Sequence, residues 1–158
     1  MKVLSASIII LFMFLSGCET IPKQPTLTPL EIQSLQTREF ENDIDIVFPS
    51  VISVFQDLGY TVKSADRLSG LITADGISIS DAAMKLWLGI TSVEQTSATA
   101  FVERIGSVTR VRLSFVKEKT TSSSYGQTDR QDTQILNAQI YQNAFNRVED
   151  AIFIRAAN

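Results

Sequence analysis

The sequence predicts an α+β domain: an antiparallel sheet of about five strands with two long helices on one face. Three observations lead there. Two stretches, Ile44 to Leu58 and Ala138 to Ile152, carry apolar residues at helical spacing. Between them, alternating segments meet at glycine-containing turns, as hairpins do. Finally, 158 residues, of which 44% are hydrophobic and 20% charged, suit one domain that buries a core without staples.

Thr37 to Phe40 reads as a short strand. Asn42, Asp43 and Asp45 then offer N-caps to a helix over about 45–58, whose stripe is Ile44, Val47, Phe48, Val51, Val54, Phe55 and Leu58. Pro49 is expected in its first turn, where the missing N–H costs little, and Gly59 supplies the stop. Tyr60 to Asp66 and Leu71 to Ala74 form a hairpin around Arg67 to Gly70. Ser80 and Asp81 are placed to cap a short helix from Ala82 to Leu88. Ser92 to Glu103 and Val108 to Glu118 make a second hairpin around Ile105-Gly106-Ser107. In its second arm Val111, Leu113 and Phe115 share one face, and Arg110, Arg112 and Ser114 the other. Thr120 to Gln131 reads as a polar loop, with Asp129 and Asp132 as caps for a final helix whose stripe is Ala138, Tyr141, Phe145, Val148 and Ile152. The order is β-α-β-β-β-β-α.

Composition excludes several chemistries. There is no His and only one Cys, so the usual neutral-pH proton shuttle, an intrachain disulfide and a Cys-cluster zinc site are all out. A net charge of −3 and a pI near 4.9 lack the basic field of a nucleic-acid binder. The glycines are scattered rather than gathered in a phosphate loop. Ser64 and Lys63 are adjacent on a strand and so point to opposite faces. Asp66 and Asp75 flank the first hairpin as possible paired carboxylates, but turn formation explains them better. Asp43 and Asp45 supply too few oxygens for calcium, and Arg110 and Arg112 are expected to pair across strands with Glu103 and Glu118. No catalytic residue, metal site or cofactor is expected. Met84, Trp87 and Leu88 lie in a connection: either they close an edge of the core, or they form an exposed patch for a partner or a membrane interface.

The amino terminus is more specific. Lys2 precedes the apolar run Val3 to Leu15, a helix of about 20 Å against a hydrocarbon core of about 30 Å, too short to span. This is the pattern of a signal peptide. The residues that follow, Leu15-Ser16-Gly17-Cys18, resemble the lipobox of bacterial lipoproteins. That resemblance implies cleavage after Gly17 and acyl chains on Cys18, which together anchor a protein durably to a bilayer. Glu19, not Asp, follows, and the resemblance then implies the outer membrane and its periplasmic side. The chain accordingly divides into a signal peptide, 1–17, a lipidated Cys18 with a Pro-rich flexible tether, 18–36, and a single α+β domain, 37–158; Leu30 to Leu35 either belong to the free tether or pack partly on the domain. Fully extended, residues 19–36 would reach about 55 Å.

Arg38-Glu39-Phe40, the run Val54 to Tyr60, the run Asp66 to Ile72, Tyr141-Gln142 and Ile152-Phe153 resemble a set of small, largely uncharacterised bacterial lipoproteins. These are similar to the helix-grip domains of the C lipoprotein of the outer-membrane β-barrel assembly machine. The resemblance implies a helix-grip-like fold and no catalytic residues. The expected role is a non-catalytic, membrane-anchored binding or accessory module with an envelope protein as partner. The alternative is a carrier of a lipid or peptide in a pocket between helix and sheet.

Overall fold

The computed structural model describes residues 27–80 and 90–157. The elements are α1 (Pro29–Gln36), β1 (Thr37–Phe40), α2 (Ile44–Asp57), β2 (Thr61–Asp66), β3 (Leu71–Asp75), β4 (Ile79–Ser80), β5 (Thr91–Ile105), β6 (Val108–Ser122), β7 (Thr128–Gln134) and α3 (Ala138–Ala156). All pairings in the sheet are antiparallel, with the order β1-β6-β5-β3-β2; β4 adds to β5 and β7 to β6. The fold is thus α+β, with seven strands where the sequence suggests about five.

Register explains the core. Ile72 lies opposite Ala100, which lies opposite Leu113; Ala74, Ala98 and Phe115 form the next row, and Val102 faces Val111. All of these are buried on one face of the sheet, beneath Val47, Phe48, Val51, Val54 and Phe55 of α2 and Tyr141, Phe145, Val148 and Ile152 of α3. The small Ala98 and Ala100 let the helices approach closely. Phe115 then fills the space between the layers, with ring centroids 6.3 Å from Phe55, 6.1 Å from Tyr60 and 5.3 Å from Tyr141.

α2 begins at its Asp43 cap, whose carboxylate accepts from Asp45 N at 2.9 Å. Starting there puts Pro49 beyond the first turn, inside the helix, contrary to the sequence expectation. The carbonyl that loses its donor belongs to Asp45, on the exposed side where water can serve it. The first hairpin turn is tight for a different reason. Gly70 adopts φ +73°, and a Cβ there would stand 2.1 Å from the Val102 carbonyl oxygen. The same backbone approach gives the Val102 N–H to Gly70 O bond of 2.9 Å.

Three expectations are corrected. Residues 29–36 are helical rather than part of a flexible tether: Thr28 and Glu31 form a capping box around Pro29, and Gln36 at the end of the helix is fully buried. Residues 120–131 are not a loop: β6 runs on to Ser122, a turn at Gly126 reverses the chain, and β7 pairs back along it. Asp129 and Asp132 consequently sit in β7, and Asn137 caps α3 by accepting from Gln139 N at 2.9 Å. The proposed short helix Ala82–Leu88, Cys18 and the 1–17 leader lie outside the described residues. No described helix is long and apolar enough to cross a membrane.

Candidate functional site

The face of the sheet away from α2 and α3 is open, and its residues come into register across four strands. Leu71, Phe101, Arg112 and Thr37 form one row, and Glu103, Arg110 and Glu39 another. α1 runs along one side of this face. Between them lies a groove of about 450 Å³ lined by Leu30, Gln33 and Ser34 of α1 with Phe101, Arg110 and Arg112 among the sheet residues. Phe101 is 40% exposed and Leu30 75%.

The charges of the groove are unequal. Arg110 donates to Glu39 at 2.8 and 3.0 Å and lies 3.9 Å from Glu103, so two carboxylates neutralise it. Arg112 donates to the neutral Gln36 Oε1 at 3.3 Å, and no ion pair joins it to a described carboxylate. The expected cross-strand pairing therefore holds for Arg110 with Glu103, while Glu118 pairs with Arg130 instead, at 3.0 Å. The groove thus sets the apolar Leu30 and Phe101 beside the Arg112 guanidinium, with the neutralised Arg110 cluster adjoining.

Gln36 links this face to the core. Its Nε2 donates to the Tyr141 hydroxyl at 3.3 Å, and the same hydroxyl accepts from Phe115 N at 3.4 Å. Phe115 lies between the stretch of β6 paired with β1 and the stretch paired with β7; its carbonyl accepts from Ile135 N at 2.9 Å, while its N–H faces no strand. A phenol thus serves a strand N–H that has no strand neighbour.

The sequence-derived candidates are dispersed. Asp66 accepts from Leu68 N at 3.0 Å and Ser69 Oγ at 2.8 Å, bonds that hold its carboxyl below the ordinary range, Ser69 contributing most. Asp75 lies at the other end of the same hairpin, 3.6 Å from Lys63, so the two carboxylates do not converge. Asp43 and Asp45 pair with Arg104 and Arg67 respectively. The Asp43 carboxyl is held low by the Asp45 N–H first and by Arg104 second. Among the described residues, no group of three or more His, Cys, Asp or Glu is placed to hold a metal. Cys18, Met84, Trp87 and Leu88 lie outside the described residues. The residues that sequence reasoning missed are Leu30, Gln33, Ser34 and Gln36. The Thr28-Pro29-Leu30-Glu31 capping signature was the signal that could have found them.

No protein-family model matches the chain. No curated protein matches it either. Among solved structures it is similar to a DUF4468 family protein from Bacteroides ovatus, a bacterial family of unknown function. The two share 10% identity over 81% of this chain and 89% of that one, with a TM-score of 0.39.

Proposed function

We propose that this chain is a membrane-anchored, non-catalytic lipoprotein of the bacterial envelope, acylated at Cys18, facing the periplasm from the outer membrane and acting as a binding or accessory module. One observation carries the reading: a short apolar leader, Val3 to Leu15, runs directly into Leu15-Ser16-Gly17-Cys18, and Cys18 is the sole cysteine. An α+β domain that sets a groove with Leu30 and Phe101 in its lining beside the exposed sheet face is compatible with it. The function is positional. Anchoring concentrates the domain beside membrane partners, so a modest groove becomes an effective binding surface. About ten residues separate Cys18 from Thr28, a reach of at most about 35 Å, so the helical α1 keeps the groove nearer the bilayer than a tether to residue 36 would. The carrier alternative needs room between helices and sheet, where Phe55, Tyr60, Phe115 and Tyr141 pack against one another.

Metabolic labelling of bacterial cells with a clickable fatty acid tests the anchor. Wild-type protein is expected to take up label and sediment with membranes, and Cys18→Ala to lose the label. Unlabelled, freely soluble wild-type protein overturns the proposal.

A further inference from the structure

Among the described residues β7 is the outermost strand of the distal sheet, and every residue from Thr128 to Gln134 is exposed. At one end of its ladder Ser123 N donates to Gln127 O at 2.9 Å, and at the other Ile135 N donates to Phe115 O at 2.9 Å. Antiparallel pairing alternates between hydrogen-bonded and non-bonded positions. Those two bonds therefore direct the N–H and C=O groups of Asp129, Gln131 and Thr133 toward β6. The N–H and C=O groups of Thr128, Arg130, Asp132 and Gln134 point away from the sheet, a row open to another strand.

The other edges are guarded. β2 carries a register shift between Val62 and Ser64, with the charged Lys63 at the irregularity. β1 has four residues and β4 two. β7 has seven residues and contains no Pro, no Lys and no bulge. Its charges are also ordered about a centre, as Asp129-Arg130-Gln131-Asp132.

We propose that β7 is a self-association edge, where two copies of this chain pair antiparallel about a twofold axis at Gln131. In that register Arg130 lies opposite the second copy's Asp132, and Asp132 opposite its Arg130, so both symmetric pairs are attractive. All four of these residues present their backbone groups outward, so the ladder bonds and the charges agree. Moving the axis to Arg130 or to Asp132 keeps the backbone alternation but sets like charges face to face. The register about Gln131 is thus the one in which both central charge pairs are attractive, and the symmetry is that of the commonest closed dimer. Within one chain Arg130 touches Glu118 of β6 and Asp132 of its own strand, each at 3.0 Å, so the pairs between copies form by exchanging the intrachain Arg130–Asp132 contact for its symmetric equivalent. The contact joins two copies of β4-β5-β6-β7 into one continuous sheet. Its polar surface is small beside a standard interface of about 1,600 Å², so the association is reversible.

The register names its own probe. Gln131 faces its symmetry mate at a non-hydrogen-bonded position, where Cα atoms lie about 4.5 Å apart, within disulfide range. Full-length Gln131→Cys, oxidised in intact cells, is expected to run largely as a covalent dimer. Wild type measures the background from Cys18. Thr133→Cys places its two sulfurs on Cα atoms about 14 Å apart and is expected to stay monomeric. Adding Arg130→Asp to Gln131→Cys is expected to lower the rate of cross-linking roughly tenfold, and Arg130→Asp with Asp132→Arg to restore it. Both residues are exposed, and unchanged circular dichroism of the purified variants establishes that they fold. Equal cross-linking of Gln131→Cys and Thr133→Cys, absence of cross-linking above wild type, or failure of the charge swap to restore it overturns the proposal.

Discussion

Along β5 and β6, the residues from Ala98 to Val102 and from Val111 to Phe115 lie beneath α2 and α3, buried at every second position. The other half of the same hairpin, Thr91–Ser97 with Val116–Ser122, lies outside that core, and Ser92 alone among them is buried. The backbone ladder is continuous through both halves. What differs is the source of cohesion. One half is held by apolar burial, which is non-directional and large; the other by ladder bonds and cross-strand charges, which are small individually. Glu94 contacts Lys117 at 2.7 Å and Lys119 at 3.9 Å on one face of the arm, and Glu118 meets Arg130 on the other. A ribbon that is half-buried or exposed at every position but Ser92 has little apolar burial to pin its structure, and adding neighbours β4 and β7 extends the hydrogen bonding without adding to the core.

Mutation sharpens this contrast. Phe115→Ala removes a side chain that is 2% exposed and touches three aromatic rings, and is expected to cost about 3–5 kcal/mol in urea unfolding. Thr120→Ala, five positions on along the same strand, is expected to stay within about 0.5 kcal/mol. Equal effects would mean that the arm contributes to the core.

The turns give the next largest difference. Gly70→Ala forces a Cβ against the Val102 carbonyl and is expected to destabilise by roughly 2–4 kcal/mol. Gly126→Ala, at the arm's turn, shares the left-handed φ of +80° but meets nothing within 4 Å, so only the conformational cost of about 1 kcal/mol applies. Thermal melts of the two variants check the ordering.

Acid produces the smallest effect. Hydrogen bonds to the carboxylates of Asp43 and Asp66 hold them below the ordinary range in the folded state, as Lys117 does for Glu94. A group lowered on folding stabilises fully above its unfolded value and loses that contribution as pH falls through its folded value. The melting midpoint is therefore expected to drop on acidification below the ordinary carboxylate range. Asp43→Asn, which keeps the cap but not the charge, is expected to flatten that slope. Glu94→Gln is expected instead to raise amide exchange in the arm while leaving the melting midpoint of the core in place. A midpoint independent of pH in that range would contradict the assignment.

How legible each part was follows the same division. Ile44 to Leu58, the strand Leu71 to Asp75 and the stripe from Tyr141 to Ile152 announce themselves, because one buried face stamps a period on the sequence; Thr61 to Asp66, exposed but for Val62, was legible from its alternation and the turn that follows. Lys117 to Gln134 carries no such stamp. With no position fully buried none is required to be apolar, and a strand of Thr, Gln, Asp and Arg reads as a loop. Only the β-branched threonines and the complementary charges remained as signals, and both also suit a turn-rich segment. The residues 29–36 were obscured differently: three prolines nearby suggested a tether, although the capping box stood in the sequence.

By itself, then, the sequence determined the α+β class, the helix faces and the two hairpin turns, since each depends on neighbours within a few residues. The tertiary structure alone decided that α1 borders a groove, that the Tyr141 hydroxyl, held by Gln36, takes the Phe115 N–H, and that β7 lies at the rim of the arm. Those facts depend on which strands become neighbours, a matter of packing between residues tens of positions apart, which no local period encodes.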